Sequence, residues 1–228
     1  MSNRKKRYHR VGYLTGIVVS LLGLAVLLYP ENNLLSAPGS MNTGHETLSC
    51  NVCHLDAKGS LRQRLQANVQ YLFGNRNNPV VLGHREVGNS DCLACHDRPE
   101  DRHPVYRFLE PRYAKVRREI QVQFCTSCHR EHEGKRVTQK TGFCVNCHDE
   151  LLMRKDPLDI PHVTLIKEKR WESCLGCHDF HGNHIFTETN HVKEAWAENE
   201  ILTYFNGGKS PYSKKRHYQA LKVRSDAK

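Results

Sequence analysis

No cysteine in this 228-residue chain lies outside a single repeated pattern. All ten fall into five copies of Cys-x-x-Cys-His: Cys50/Cys53/His54, Cys92/Cys95/His96, Cys125/Cys128/His129, Cys144/Cys147/His148 and Cys174/Cys177/His178. None is left over, and a disulfide framework would need no histidine after every second cysteine. Even spacing is also missing. The motif starts lie 42, 33, 19 and 30 residues apart, too irregular for a solenoid repeat. Long apolar runs are absent except near the amino terminus, and methionine is reduced to Met1, Met41 and Met153.

Cys-x-x-Cys-His is the attachment sequence for c-type haem. Two thiols bind one edge of a porphyrin, and the adjacent histidine reaches the iron from one side. An isolated Cys-x-x-Cys also suits half a zinc site or a redox dithiol, but five copies with the same trailing histidine favour five covalently attached c-type haems. The formal net charge of +10 would by itself suggest a polyanion partner. Two propionates on each of five haems offset it, so no nucleic-acid partner is expected.

Residues 1–10 are basic, and residues 11–29 carry no charge. As a helix the uncharged run is ~28 Å long, close to the ~30 Å hydrocarbon core. The competing reading is a cleaved signal peptide. Cleavage after Ala37 would put Leu35 at −3 and Pro38 at +1, both unfavourable, so a retained anchor is expected. Arg4, Lys5, Lys6 and Arg7 keep the amino terminus cytoplasmic. The chain then divides into a stub (1–10), a transmembrane anchor (11–29), a linker (30–44), a pentahaem domain (45–192) and a C-terminal helix with a basic tail (193–228). The expected location is the bacterial inner membrane, single-pass, with the haem domain periplasmic.

With roughly thirty residues per haem, the macrocycles supply much of the buried apolar surface. The expected fold class is mainly α with extensive irregular loops wrapped around five covalently bound haems, plus one N-terminal transmembrane helix. Helices are expected over 61–73, 113–122 and 193–205, the first with Leu61, Leu65, Val69 and Leu72 as a packing stripe. Gly207-Gly208 stops the last. Residues 214–228 read as a flexible basic tail suited to anionic lipid or a partner.

Each iron needs a second axial ligand. Methionine is scarce, and Met1 lies across the membrane, so histidine is the abundant choice. Setting aside His9 and His217, eight lie outside the motifs: His45, His84, His103, His132, His162, His181, His184 and His191. The favoured set is His84, His103, His132 and His162 with His181 or His184. His45 competes for the first haem. His132 and His181 each follow a motif histidine by three residues. That tether is too short to reach the opposite face of the same haem, so each is expected to serve a neighbour.

The single anchor and periplasmic multihaem domain resemble the membrane-anchored quinol dehydrogenases of the nitrate/nitrite reductase type. Phe124 to His132 and the close motif spacing look like the periplasmic carriers of the cytochrome c3, pentahaem nitrite-reductase-donor and decahaem conduit group. The dehydrogenases have a methionine shortly after the first motif, whereas here Leu55-Asp56-Ala57-Lys58 follows; Glu31, Asp56 and Lys58 are the polar residues available for a quinone. The resemblance implies an electron relay between a membrane donor, the quinol pool or a respiratory complex, and a periplasmic or partner-subunit acceptor. The alternative is a reductase or dehydrogenase of a small nitrogen or sulfur compound with one open iron, using His103, Arg107 and Arg112. Relatives of that kind often carry Cys-x-x-Cys-Lys, which does not occur here. A third reading is a subunit that wires a larger membrane complex.

Overall fold

A computed structural model describes residues 2–28 and 37–224, with side chains for 7–26 and 37–224. Glu31 and the first part of the expected linker, residues 30–36, lie outside the described residues. Helix α1, Ser2–Leu28, runs without a break from the basic stub through the apolar run. Its segment Arg7–Val26 is long and apolar enough to cross a membrane, and none of it is buried against the rest of the chain. Thr15, a polar residue within it, donates its hydroxyl to the Val11 carbonyl at 2.9 Å and so needs no outside partner.

The rest is short helix, single turns and loop, with no strand among the described residues. Each Cys-x-x-Cys-His copy closes one helical turn. The histidine N–H donates to the carbonyl of the first cysteine at 2.9 Å in His54, His129 and His178 and at 3.0 Å in His148, while His96 ends helix α3, Asn89–His96. Positions i, i+3 and i+4 share a helix face. Two cysteines and a histidine at this spacing therefore project together.

The expected helix over 61–73 forms as α2, Leu61–Leu72. The Ser60 hydroxyl caps it by accepting the Gln63 N–H at 3.3 Å, and the Gln63 side chain returns the bond to the Ser60 N–H at 2.8 Å. Its apolar stripe, however, is not a packing surface within this chain. Leu61, Leu65, Val69 and Leu72 are 57, 48, 50 and 80 % exposed. The polar side does the holding: the Asn68 amide exchanges two bonds with the Val80 backbone, at 2.7 and 2.8 Å, and Arg64 donates to the Gly83 carbonyl.

The helix expected over 113–122 is a 3-10 turn, Pro111–Tyr113, followed by α4, Ala114–Ile120, which stops at Gln121 in the left-handed region. The one expected over 193–205 is broken. A turn at Val192–Glu194 gives way to extended backbone at Ala195, because the Trp196 N–H is drawn to the Gly176 carbonyl at 3.0 Å, and α8 begins only at Glu198 and runs to Phe205. Gly207, at φ +95°, supplies the left-handed stop.

The small apolar core is Leu175, Ile201, Phe205 and Tyr212, with Phe143, Phe180, Phe186, Trp196 and Tyr204 packed around it. Leu175 belongs to α7, Cys174–Cys177, so the fifth motif is part of the core. Gly176 is required there, since a Cβ would collide with the Trp196 carbonyl.

The basic carboxyl-terminal segment is not a loose tail as far as residue 224. The His217 N–H reaches the Asn183 carbonyl, the Leu221 N–H reaches the Cys95 carbonyl, and Arg224 donates to the Val52 carbonyl at 2.8 Å and to the buried Asp91 at 3.3 Å. Backbone bonds and Arg224 hold the segment, while Lys214, Lys215, Arg216 and Lys222 stay exposed.

Candidate cofactor-binding site

The motif turns are brought together in pairs. The Asn89 side chain, at the start of α3, accepts the Cys125 N–H at 3.0 Å and donates to the Gln123 carbonyl at 2.7 Å. This clamps the second motif to the third, and the Cys92 and Cys125 thiols perturb one another, raising the pKa of the first and lowering that of the second. Cys144 and Cys174 stand in the same relation in the fourth and fifth motifs. Burial pushes the Cys128 thiol up to about 11.

Opposite every motif histidine stands a second imidazole. His54 faces His132, His96 faces His45, His129 faces His181, His148 faces His103 and His178 faces His162, with ring centroids 6.2, 5.9, 6.1, 6.2 and 6.2 Å apart. Two metal–nitrogen bonds of about 2 Å each, plus half a ring on either side, span about 6 Å. The rings of His132 and His181 lie against the histidines of other motifs, as their short tethers require. His45 stands opposite the second motif, not the first.

The facing rings are oriented by acceptors on Nδ1. His181 uses Asp101 at 2.9 Å, His162 uses Asp156 at 2.9 Å, and His45 uses Glu131 at 2.9 Å. His103 donates to the Phe180 carbonyl at 2.6 Å, and His132 to the Gly39 carbonyl at 3.3 Å. A neutral imidazole that donates from Nδ1 carries its lone pair on Nε2. These partners therefore select the tautomer that a metal needs. Burial acts in the same direction, lowering the pKa of His96 to about 4 and lowering those of His103 and His129; neutral imidazoles bind metal without first losing a proton. His45 is pulled upward instead by its bond to Glu131.

Asp101 serves two of these histidines, taking the His181 ring at 2.9 Å and the His103 backbone N–H at 2.8 Å. Burial alone would raise its pKa, yet the bond from His181 and the nearby positive charge keep it low. Phe180 stacks on the His103 ring at 4.2 Å and 10°.

The remaining candidates fall elsewhere. His184 is buried, with Nδ1 on Asp179 at 2.9 Å, Nε2 3.4 Å from the Ser210 hydroxyl, and Tyr204 and Tyr212 against its ring. Both nitrogens are used, and the ring packs in the core. His191 is exposed beside Asp159. Arg107 and Arg112 pair with Glu110 at the surface, while His103 is committed to His148 and Phe180, so these three do not converge. His84 lies 6.1 Å from His54, with Nδ1 3.5 Å from Asp56. Asp56 and Lys58 are exposed.

Among the described residues no three His, Cys, Asp or Glu side chains converge as a closed metal cage requires. The nitrogen donors come in facing twos, with His84 as a third at the first motif, each set beside a pair of thiols one helical turn apart. That set fits c-type haem: Cys50, Cys53, Cys92, Cys95, Cys125, Cys128, Cys144, Cys147, Cys174 and Cys177 would hold the macrocycles. His54, His96, His129, His148 and His178 would bind one axial side, with their facing imidazoles on the other. Compared with known protein families, curated proteins and solved structures, the chain matches none.

Proposed function

We propose that the chain is a membrane-anchored pentahaem c-type cytochrome that relays electrons between a membrane donor and an acceptor outside the cytoplasmic membrane. The observation that carries this reading is the five facing histidine pairs, one for each Cys-x-x-Cys-His turn. Bound haem would supply a one-electron iron couple whose potential is tuned by axial ligands and their hydrogen bonds.

The polypeptide's part is ligation, orientation and spacing. With haem bound, a histidine pair at each site would leave iron no open position, which favours electron transfer over substrate binding at iron. Histidines on one motif's loop face another motif, so adjacent sites are tied through the backbone. Asp101, Asp156 and Glu131 hold the imidazoles from behind. Basic residues Arg4, Lys5, Lys6 and Arg7 ahead of the anchor favour a cytoplasmic amino terminus, with the motifs on the periplasmic side.

The test is the purified full-length chain. Its mass should include five haems, and its spectra should be low-spin at all five, with no carbon monoxide or nitrite bound. A stoichiometric high-spin haem that binds nitrite would replace the relay by a reductase. Reduction by menaquinol or ubiquinol analogues identifies quinol as donor; its absence assigns that role to a protein.

A further inference from the structure

The first motif has one histidine too many. His54 would take one axial position of its iron and leave one, yet two imidazoles stand at the same distance from it: His132 at 6.2 Å and His84 at 6.1 Å. They are held by different parts of the molecule. His84 is bridged to the first motif's own trailing segment by two backbone bonds, Ala57 N–H to the Gly83 carbonyl and Arg85 N–H to the Leu55 carbonyl, both 2.9 Å. Its Nδ1 lies 3.5 Å from the Asp56 carboxylate, an acceptor of the kind that orients the other facing rings. The side chain is 57 % exposed, which leaves it room to turn.

His132 belongs to the third motif's loop and sits at φ +67°. The segment leaving the anchor holds it there: Gly39 packs so closely on the His132 carbonyl that any Cβ would collide, and the Gly134 N–H donates to the Ser40 carbonyl at 3.1 Å. The two histidines thus offer the first site alternative attachments. His132 ties it to the third motif and the anchor segment, while His84 keeps it within residues 50–88.

Resting on the reading that the first motif carries a haem, we propose that His84 and His132 are alternative ligands for the second axial position of that haem, exchanging between a tethered and an untethered state. The exchange breaks one iron–nitrogen bond and forms another; no electron is consumed.

The experiment uses the full-length holoprotein with His84→Asn, His132→Asn and both together. Asparagine tolerates the left-handed backbone at 132 and keeps a hydrogen-bonding arm toward Gly39. The readouts are haem content by mass, electron paramagnetic resonance, and carbon monoxide uptake after reduction. Neither single variant should bind carbon monoxide, His132→Asn should shift one low-spin signal, and the double variant should bind one carbon monoxide per chain. Uptake by either single variant means fixed ligation and overturns the exchange, and so does a double variant that stays fully low-spin. The two single variants alone decide between shared and fixed ligation. A wild-type Cys50–His54 peptide without haem would overturn the underlying reading instead.

Discussion

At the scale of single residues, the side chains behind the imidazoles carry the most testable chemistry. A carboxylate on Nδ1 gives the ring partial imidazolate character and strengthens it as a donor to oxidised iron. Asp101→Asn keeps the shape of the contact and removes the charge. On the proposed reading, the expected result is a higher reduction potential for one haem, seen in a redox titration as one of five steps moving upward, with haem content unchanged. Asp91 offers a second test. It is buried, and burial alone would raise its pKa, but the Arg85 guanidinium, the Gly88 N–H and Arg224 together hold it low. A depressed carboxylate contributes stability that is present above the unfolded value of about 4 and is lost as pH falls below it toward the folded value. The wild type should therefore lose melting temperature on acidification below about pH 4, and Asp91→Asn should flatten that part of the profile. At neutral pH the same substitution should cost about 3 kcal/mol, since it breaks a buried carboxylate–guanidinium pair.

At the scale of elements, local signals were legible and long-range ones were not. The Cys-x-x-Cys-His turn follows from its own spacing, because it depends on residues within one turn. The facing of His45 with His96, or of His132 with His54, is decided by chain closure over tens of residues. No local pattern encodes it. Counting histidines showed that supply met demand, but His184 was drawn into the ligand set only by proximity to the fifth motif, while packing and Asp179 give it a different place. Periodicity misled at α2 for the opposite reason. It reports an apolar face and is silent about what lies against it. The difference is measurable: Leu65→Ala on the exposed stripe should change stability by less than about 0.5 kcal/mol. Ile201→Ala, at the one fully buried large side chain among the described residues, should cost about 2–5 kcal/mol. Equal costs would mean that the α2 stripe is covered by something other than this chain.

At the scale of the whole molecule, the polypeptide alone buries little. Among the described residues its one cluster of buried apolar side chains lies around the fifth motif, with Ala94, Phe108 and Val116 buried outside it, and the first four motifs are joined mostly by hydrogen bonds and ion pairs. Such contacts contribute only about 0.5–1.5 kcal/mol each after exchange with water, against an entropy cost of about 1–2 kcal/mol for every ordered residue. If the relay reading holds, covalent haem supplies the missing apolar surface, and its attachment is coupled to folding in the way metal binding is coupled in small metalloproteins. The chain produced without haem attachment should then show low helical content outside the anchor, no cooperative thermal transition and rapid proteolysis between residues 45 and 170. Residues 174–212 should be the most protected, because their aromatic cluster needs no cofactor to form. The holoprotein should melt cooperatively and resist protease throughout. Circular dichroism melts and mass-mapped limited proteolysis on the two forms separate the cases. A cooperative melt of the haem-free chain at the holoprotein's temperature would mean that the polypeptide builds its scaffold unaided, and the facing imidazoles would then be preformed sites, with no part in bringing the motifs together.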